Sequence, residues 1–117
     1  MSCNEVFDYI LKQYGVKPDY PFKKDGRSAV FRHKENKKWF ALCMTVQKGR
    51  LGLSDDGVMD IMNLKCEPAI LGSLLNEVGV FKAYHMNKEH WLTVALDGSA
   101  ETKLIKMLLD ESFRLTK

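Results

Sequence analysis

The chain has 117 residues, 45% of them apolar and 28% charged, with a net charge of +3. That length holds one well-buried core and excludes two, so a single domain over residues 1–117 is expected. No stretch approaches the roughly 20 apolar residues of a membrane span, the N-terminus has no basic-then-apolar leader, and Cys3, Cys43 and Cys66 form no C-x-x-C pair; these features predict a cytoplasmic protein with reduced thiols.

The first element is a helix. "SCNE" places Ser2 at the N-cap with Glu5 three residues on, a capping box. Val6, Phe7, Ile10, Leu11 and Tyr14 follow at helical spacing, and Gly15 supplies the stop. Pro18 and Pro21 then enforce a loop through "VKPDYPFKKDGRS", expected to fold back over a sheet. From Ala29 the pattern turns to branched and aromatic residues: "AVFRHK" and "KWFALCMTV" predict a β-hairpin about the turn "ENK", where Asn36 tolerates a left-handed backbone. The glycine-bearing loop "KGRLGLSDDG" leads to a third strand, "VMDIMNLK".

A second helix is expected in "EPAILGSLLNEVG", with Glu67 at its positive end, Pro68 in its first turn, Ile70, Leu71, Leu74, Leu75 and Val78 on one stripe, and Gly79 closing it. "FKAYHM" and "HWLTVAL" flank "NKE" as a second hairpin, and Ser99 is the expected N-cap of a last helix whose apolar face is Leu104, Ile105, Leu108, Leu109 and Phe113. The order αβββαββα, with short hairpins between terminal helices, predicts an α+β domain: an antiparallel sheet with helices on one face, and Phe7, Leu11, Leu42, Leu74, Trp91 and Leu108 inside.

Charge is unevenly spread. Residues 23–38, "KKDGRSAVFRHKENKK", carry seven Lys or Arg against Asp25 and Glu35, and so supply all of the positive excess. Such a segment attracts phosphate, although a solvated hairpin edged with lysines has the same composition. The stretch "YHMNKEHW", residues 84–91, gathers two histidines, an amide, a lysine and a tryptophan. Nucleic-acid surfaces use cations on phosphates, amides on base edges and aromatics on base faces. A turn whose polar groups satisfy one another, anchored by Trp91, is the other explanation.

The succession "YPF" (20–22), "KKWFAL" (37–42), "LKCEP" (64–68), "YHMNKEHWLTV" (84–94) and "DES" (110–112) resembles the MmcQ/YjbR family in order and over nearly the whole chain. The resemblance implies a CyaY-like fold, also likened to the double-wing DNA-binding domain of the phage MotA C-terminal half, and a DNA-binding label that rests on that likeness of fold. Lys23 after "YPF", where glycine is frequent, and the longer "SDDGVMDIM" approach to "LKC" depart from the family pattern.

Other chemistries find little support. An iron-binding acidic ridge needs several carboxylates on one helix face, and the first helix offers Glu5 and Asp8. His85 and His90 share no helical face for zinc, so neither metal nor cofactor is expected. Cys66, just before a helix and beside Lys65, is the one conceivable reactive thiolate, but no phosphate loop, nucleophile elbow or carboxylate pair accompanies it, and the protein reads as a non-enzyme. The sequence therefore predicts a monomeric DNA-binding domain whose contacts are Lys37, Lys38, His85, Asn87, Lys88 and His90. The alternative is a protein-interaction or small anionic-ligand module without nucleic-acid activity.

Overall fold

The computed structural model describes residues 1–22 and 28–117. Its elements are α1 (Cys3–Tyr14), β1 (Ala29–Arg32), β2 (Trp39–Gln47), a 3₁₀ turn (Lys48–Leu51), β3 (Val58–Lys65), α2 (Pro68–Leu74), β4 (Val80–Lys82), β5 (Trp91–Ala95) and α3 (Thr102–Leu115). The strands form one antiparallel sheet in the order β1-β2-β3-β5-β4. This is the expected αβββαββα arrangement.

Local chemistry explains the ends. The Ser2 hydroxyl accepts from the Glu5 N–H at 3.2 Å while the Glu5 carboxylate accepts from the Ser2 N–H at 3.0 Å, and Gly15 ends α1 at φ 67°. Pro68 opens α2, and Gly79 redirects the chain into β4 at φ 83°, where an added Cβ would lie 2.7 Å from the Ala100 methyl. Only glycine fits there.

The three helices cover one sheet face. Val6 and Ile10 from α1, Leu71 and Leu74 from α2, and Ile105, Leu108 and Leu109 from α3 join Phe31, Phe40, Met62, Leu64, Leu92 and Val94 in the main core. A smaller cluster, Val46, Met59, Ile61 and Ala95, is packed by Leu51 and Leu53 from the loop that follows β2 and by Tyr84.

Several expectations are corrected. Leu11 is 45% exposed, since the buried face of α1 is centred on Val6 and Ile10. The α2 stripe is also shorter than predicted: the helix stops at Leu74, so Val78 lies beyond it and is 71% exposed, and within the helix Leu71 and Leu74 are buried while Ile70 is 42% exposed. Phe7 and Trp91 are half-buried at the rim. In the first turn the left-handed residue is Lys37, at φ 64°, whereas Asn36 accepts from the Lys38 N–H at 2.8 Å. Glu101, not Ser99, is the N-cap of α3, and Ser99 instead closes a local turn on Asp97. The proline loop runs along the edge of β1 as far as it is described, joined by the Asp19–Val30 bridge and the 2.9 Å ion pair of Arg32 with Asp19. Lys23, Lys24 and Arg27 of the basic segment lie outside the described residues.

Candidate functional site

Strand register decides where the two polar turns lie. The β1–β2 ladder closes at Arg32 opposite Trp39, β2 pairs Ala41 with Leu64, and β3 pairs Lys65 with Trp91. The 33–38 turn and the 83–90 turn therefore leave the same end of the sheet, one near each edge. With neighbouring strands about 4.8 Å apart, three intervals separate the midlines of the two hairpins, or roughly 14 Å.

All six predicted contact residues, Lys37, Lys38, His85, Asn87, Lys88 and His90, are exposed. Between the turns stand half-buried Arg32, Trp39, Lys65 and Trp91, with the Arg32 guanidinium 5.5 Å from the centre of the Trp39 ring. At this end of the sheet Arg32, Lys34, Lys37, Lys38, Lys65 and Lys88 face Glu35, Glu67 and Glu89, and Arg32 and Glu67 are engaged by Asp19 and Arg114. The basic excess lies at the first turn, with Lys34, Lys37 and Lys38 against Glu35, whereas the second sets Lys88 against Glu89.

The turns are held differently. In the first, the Lys37 N–H donates to the His33 carbonyl and the His33 N–H to the Lys38 carbonyl. The His33 ring is buried against Phe40 and Phe113, with Nε2 2.7 Å from the Thr116 hydroxyl, and the Asn36 amide donates to the Thr116 carbonyl at 3.0 Å. Burial holds the His33 pKa below its usual 6.5. A short loop of cations is thus fastened to the end of α3.

The second turn is longer than the predicted "NKE", because β4 ends at Lys82 and β5 begins at Trp91. It is fastened by a buried polar pair: the Thr93 hydroxyl donates to Asn63 Oδ1, Asn63 Nδ2 donates to the Tyr84 carbonyl at 2.9 Å, and the Tyr84 N–H donates to Thr93 Oγ1 at 2.8 Å. His85 follows in the left-handed region at φ 57°, with its ring 4.0 Å from that of Tyr84. Asn87 closes the turn by accepting from the Glu89 N–H through Oδ1 at 2.8 Å, while its carbonyl accepts from the N–H groups of His90 and Trp91. The self-satisfied turn is therefore present, yet it occupies only the amide oxygen of Asn87 and leaves the Nδ2 donor, His85, Lys88 and His90 facing outward.

Sequence reasoning did not find Asn63 and Thr93. Their signal was available, since an asparagine inside an apolar strand must have a partner to be buried.

The reactive-thiolate idea for Cys66 is not supported by its surroundings. The residue is buried, and burial pushes its thiol up, away from the thiolate. The three cysteines are free, and burial raises Cys43 well above the ordinary thiol range. Among the described residues no group of three or more His, Cys, Asp or Glu side chains could hold a metal ion, and no helix is long and apolar enough to cross a membrane.

A family model described as YjbR matches residues 11–115. The chain belongs to the YjbR family. It is 42% identical over 117 residues to the uncharacterised protein YyaQ of Bacillus subtilis, covering all of this chain and 99% of that one. The crystal structure of a Pseudomonas syringae protein superposes with a TM-score of 0.98 at 44% identity over the full length of both chains. A Deinococcus radiodurans protein, 23% identical, shares the fold at a TM-score of 0.70 over 97% of this chain and 77% of its own.

The geometry gives the stretches that carried the YjbR resemblance concrete tasks. In "DES", Asp110 accepts from the hydroxyls of Tyr9 and Tyr14, tying α1 to α3. Ser112 donates to the Phe40 carbonyl at 2.6 Å and accepts from the Lys65 N–H at 2.9 Å, docking α3 at the irregular pairing where β1 meets β2 and at the end of β3. These YjbR residues hold the layers in register beneath the two turns.

Proposed function

We propose that this YjbR protein binds nucleic acid through the sheet end from which both turns emerge, as a monomeric cytoplasmic binding module with no catalytic step. Lys37, Lys38 and Lys88 contact phosphates, and His85, Asn87 and His90 contact base edges or sugars. One observation carries the reading: sheet order and register bring the lysine-rich 33–38 turn and the 83–90 turn, with its exposed His85, Asn87, Lys88 and His90, to a common end. Their separation of roughly 14 Å is close to the about 12 Å width of the B-DNA major groove, so both can meet the backbones that border it. The turns' fastenings to α3 and to the Asn63–Thr93 pair favour preorganised contacts.

Fluorescence anisotropy with duplex DNA over a range of salt concentrations tests this. Affinity should fall steeply with salt, and replacing Lys37 and Lys38 with alanine should weaken all sequences alike and flatten the slope by about one unit per lost phosphate contact. Asn87→Asp, which keeps the oxygen that caps the turn and removes the outward amide donor, should alter sequence preference in addition to its uniform charge penalty. Absence of binding to duplex or single-stranded DNA at about 50 mM salt rejects the reading and leaves a protein partner or a small anion as the occupant.

A further inference from the structure

A second feature lies beside edge strand β4. An open cavity of about 550 Å³ runs between the Lys48–Leu51 turn and the 83–90 turn, and falls within the size range of small-molecule sites. The ionisable side chains at its wall are Arg50, Lys82, Lys88, Tyr84 and His85, with no carboxylate among them. Among the described residues Arg50, Lys82 and Lys88 enter no ion pair, although this chain pairs Lys48 with Asp55 and Arg114 with both Glu67 and Glu111. A wall that carries three exposed cations and no carboxylate is complementary to an anionic ligand.

The walls are fixed in advance. Gly57 accepts from the Lys48 N–H at 3.0 Å and Leu51 packs into the smaller core cluster, which sets the side that bears Arg50. The Asn63–Thr93 pair holds Tyr84 on the other side, and His85 keeps a left-handed backbone, a conformation that costs a non-glycine residue free energy and here holds its ring against that of Tyr84. The apolar part of the wall is half-buried Leu51, Leu75 and Phe81 with buried Val80 and Ala83, next to the half-buried Tyr84 ring. A bare inorganic anion would leave that apolar surface wet. A ligand that joins an anionic group to a planar, weakly polar body matches both parts of the wall.

From this we infer that the cavity beside β4 is a nucleoside-phosphate site: Arg50, Lys82 and Lys88 take the phosphate, and the base lies against Phe81 and Tyr84. The site shares His85 and Lys88 with the interface proposed above but does not rest on it, since Arg50 and Lys82 lie outside that set. The nucleoside phosphate is either a free nucleotide or one unpaired residue of a strand.

Amide-resolved NMR titration of the full chain with adenosine 5′-monophosphate, adenosine, inorganic phosphate and a short single-stranded oligonucleotide tests the site. The expected result is saturable shifts at Arg50, Leu51 and residues 81–85 with the monophosphate, with adenosine and phosphate each at least about tenfold weaker. Arg50→Ala and Lys82→Ala, both at exposed positions, should each weaken the monophosphate about tenfold, while Lys103→Ala, at an exposed position on α3 outside both sites, leaves it unchanged. Competition by the oligonucleotide for the same amides assigns the ligand to a strand, and its failure to compete assigns a free nucleotide. Shifts that scatter without saturating up to about 10 mM, an equal response to phosphate alone, or an unaltered affinity in Arg50→Ala would overturn the site. Duplex binding that depends on Lys37 and Lys38 can survive that outcome, so the two readings fail separately.

Discussion

The two turns at the end of the sheet present similar chemistry on different foundations. The 33–38 turn is short and stands on the helix layer, with His33 buried against Phe113 and Asn36 bonded to the backbone of Thr116. The 83–90 turn is longer and stands on the sheet itself, through the buried pair Asn63 and Thr93. In both, buried polar groups carry the fastening and exposed groups are left for contact. Stability and recognition are therefore separable by substitution, and four experiments press on that division.

The largest effect is expected at Asn63. Asn63→Ala leaves the Tyr84 carbonyl and the Thr93 hydroxyl without their partner inside the protein, and should destabilise the fold by about 2–4 kcal/mol in denaturant unfolding. A loss below about 0.5 kcal/mol would show that the second turn does not depend on this pair. His33 comes next. The folded protein holds its pKa below 6.5, so the unfolded chain binds the proton more tightly; stability is complete above that value and is lost as pH falls from 6.5 through the folded pKa. His33→Gln should cost about 1–3 kcal/mol at neutral pH and flatten this dependence between pH 7 and 5. A slope unchanged by the substitution would assign the pH effect elsewhere.

These fastenings are also where the sequence was least legible. Helical and strand periodicity located the three α-helices and five strands but not the 3₁₀ turn, and β3 was bounded correctly because "VMDIMNLK" sits between a glycine loop and a cysteine-proline approach to α2. Periodicity does not say how much of an apolar stripe a partner layer covers, so Leu11 was placed inside, and Ile70 and Val78 on the α2 stripe, although all three are exposed. Turn chemistry was half legible. An asparagine marked each turn, but in the first it is Lys37 that takes the positive φ, and in the second it is His85. The six candidate contact residues, all exposed, could be named from type and neighbourhood, whereas Asn63, Thr93 and Thr116 act across gaps of nine to more than eighty residues that only the register closes.

Smaller effects on stability distinguish the exposed groups. Lys37→Ala and Lys38→Ala should each change unfolding free energy by less than about 0.5 kcal/mol, while weakening DNA binding at low salt. A stability loss above that size would mean that these lysines belong to the foundation. The thiols offer a final check on the layers: under native conditions half-buried Cys3 should react with an alkylating reagent well before buried Cys43 and Cys66, and comparable rates would show that the sheet opens far more readily than its packing implies.

The central claim is that both turns engage one nucleic acid together. Titration of the labelled protein with a 12-base-pair duplex at about 50 mM salt, followed amide by amide, tests it most directly. The account predicts shifts in residues 34–38 and 85–90 that saturate at the same duplex concentration, with the buried amides of Asn63 and Thr93 little changed. Saturation of one turn without the other, or no shift in either, would contradict it.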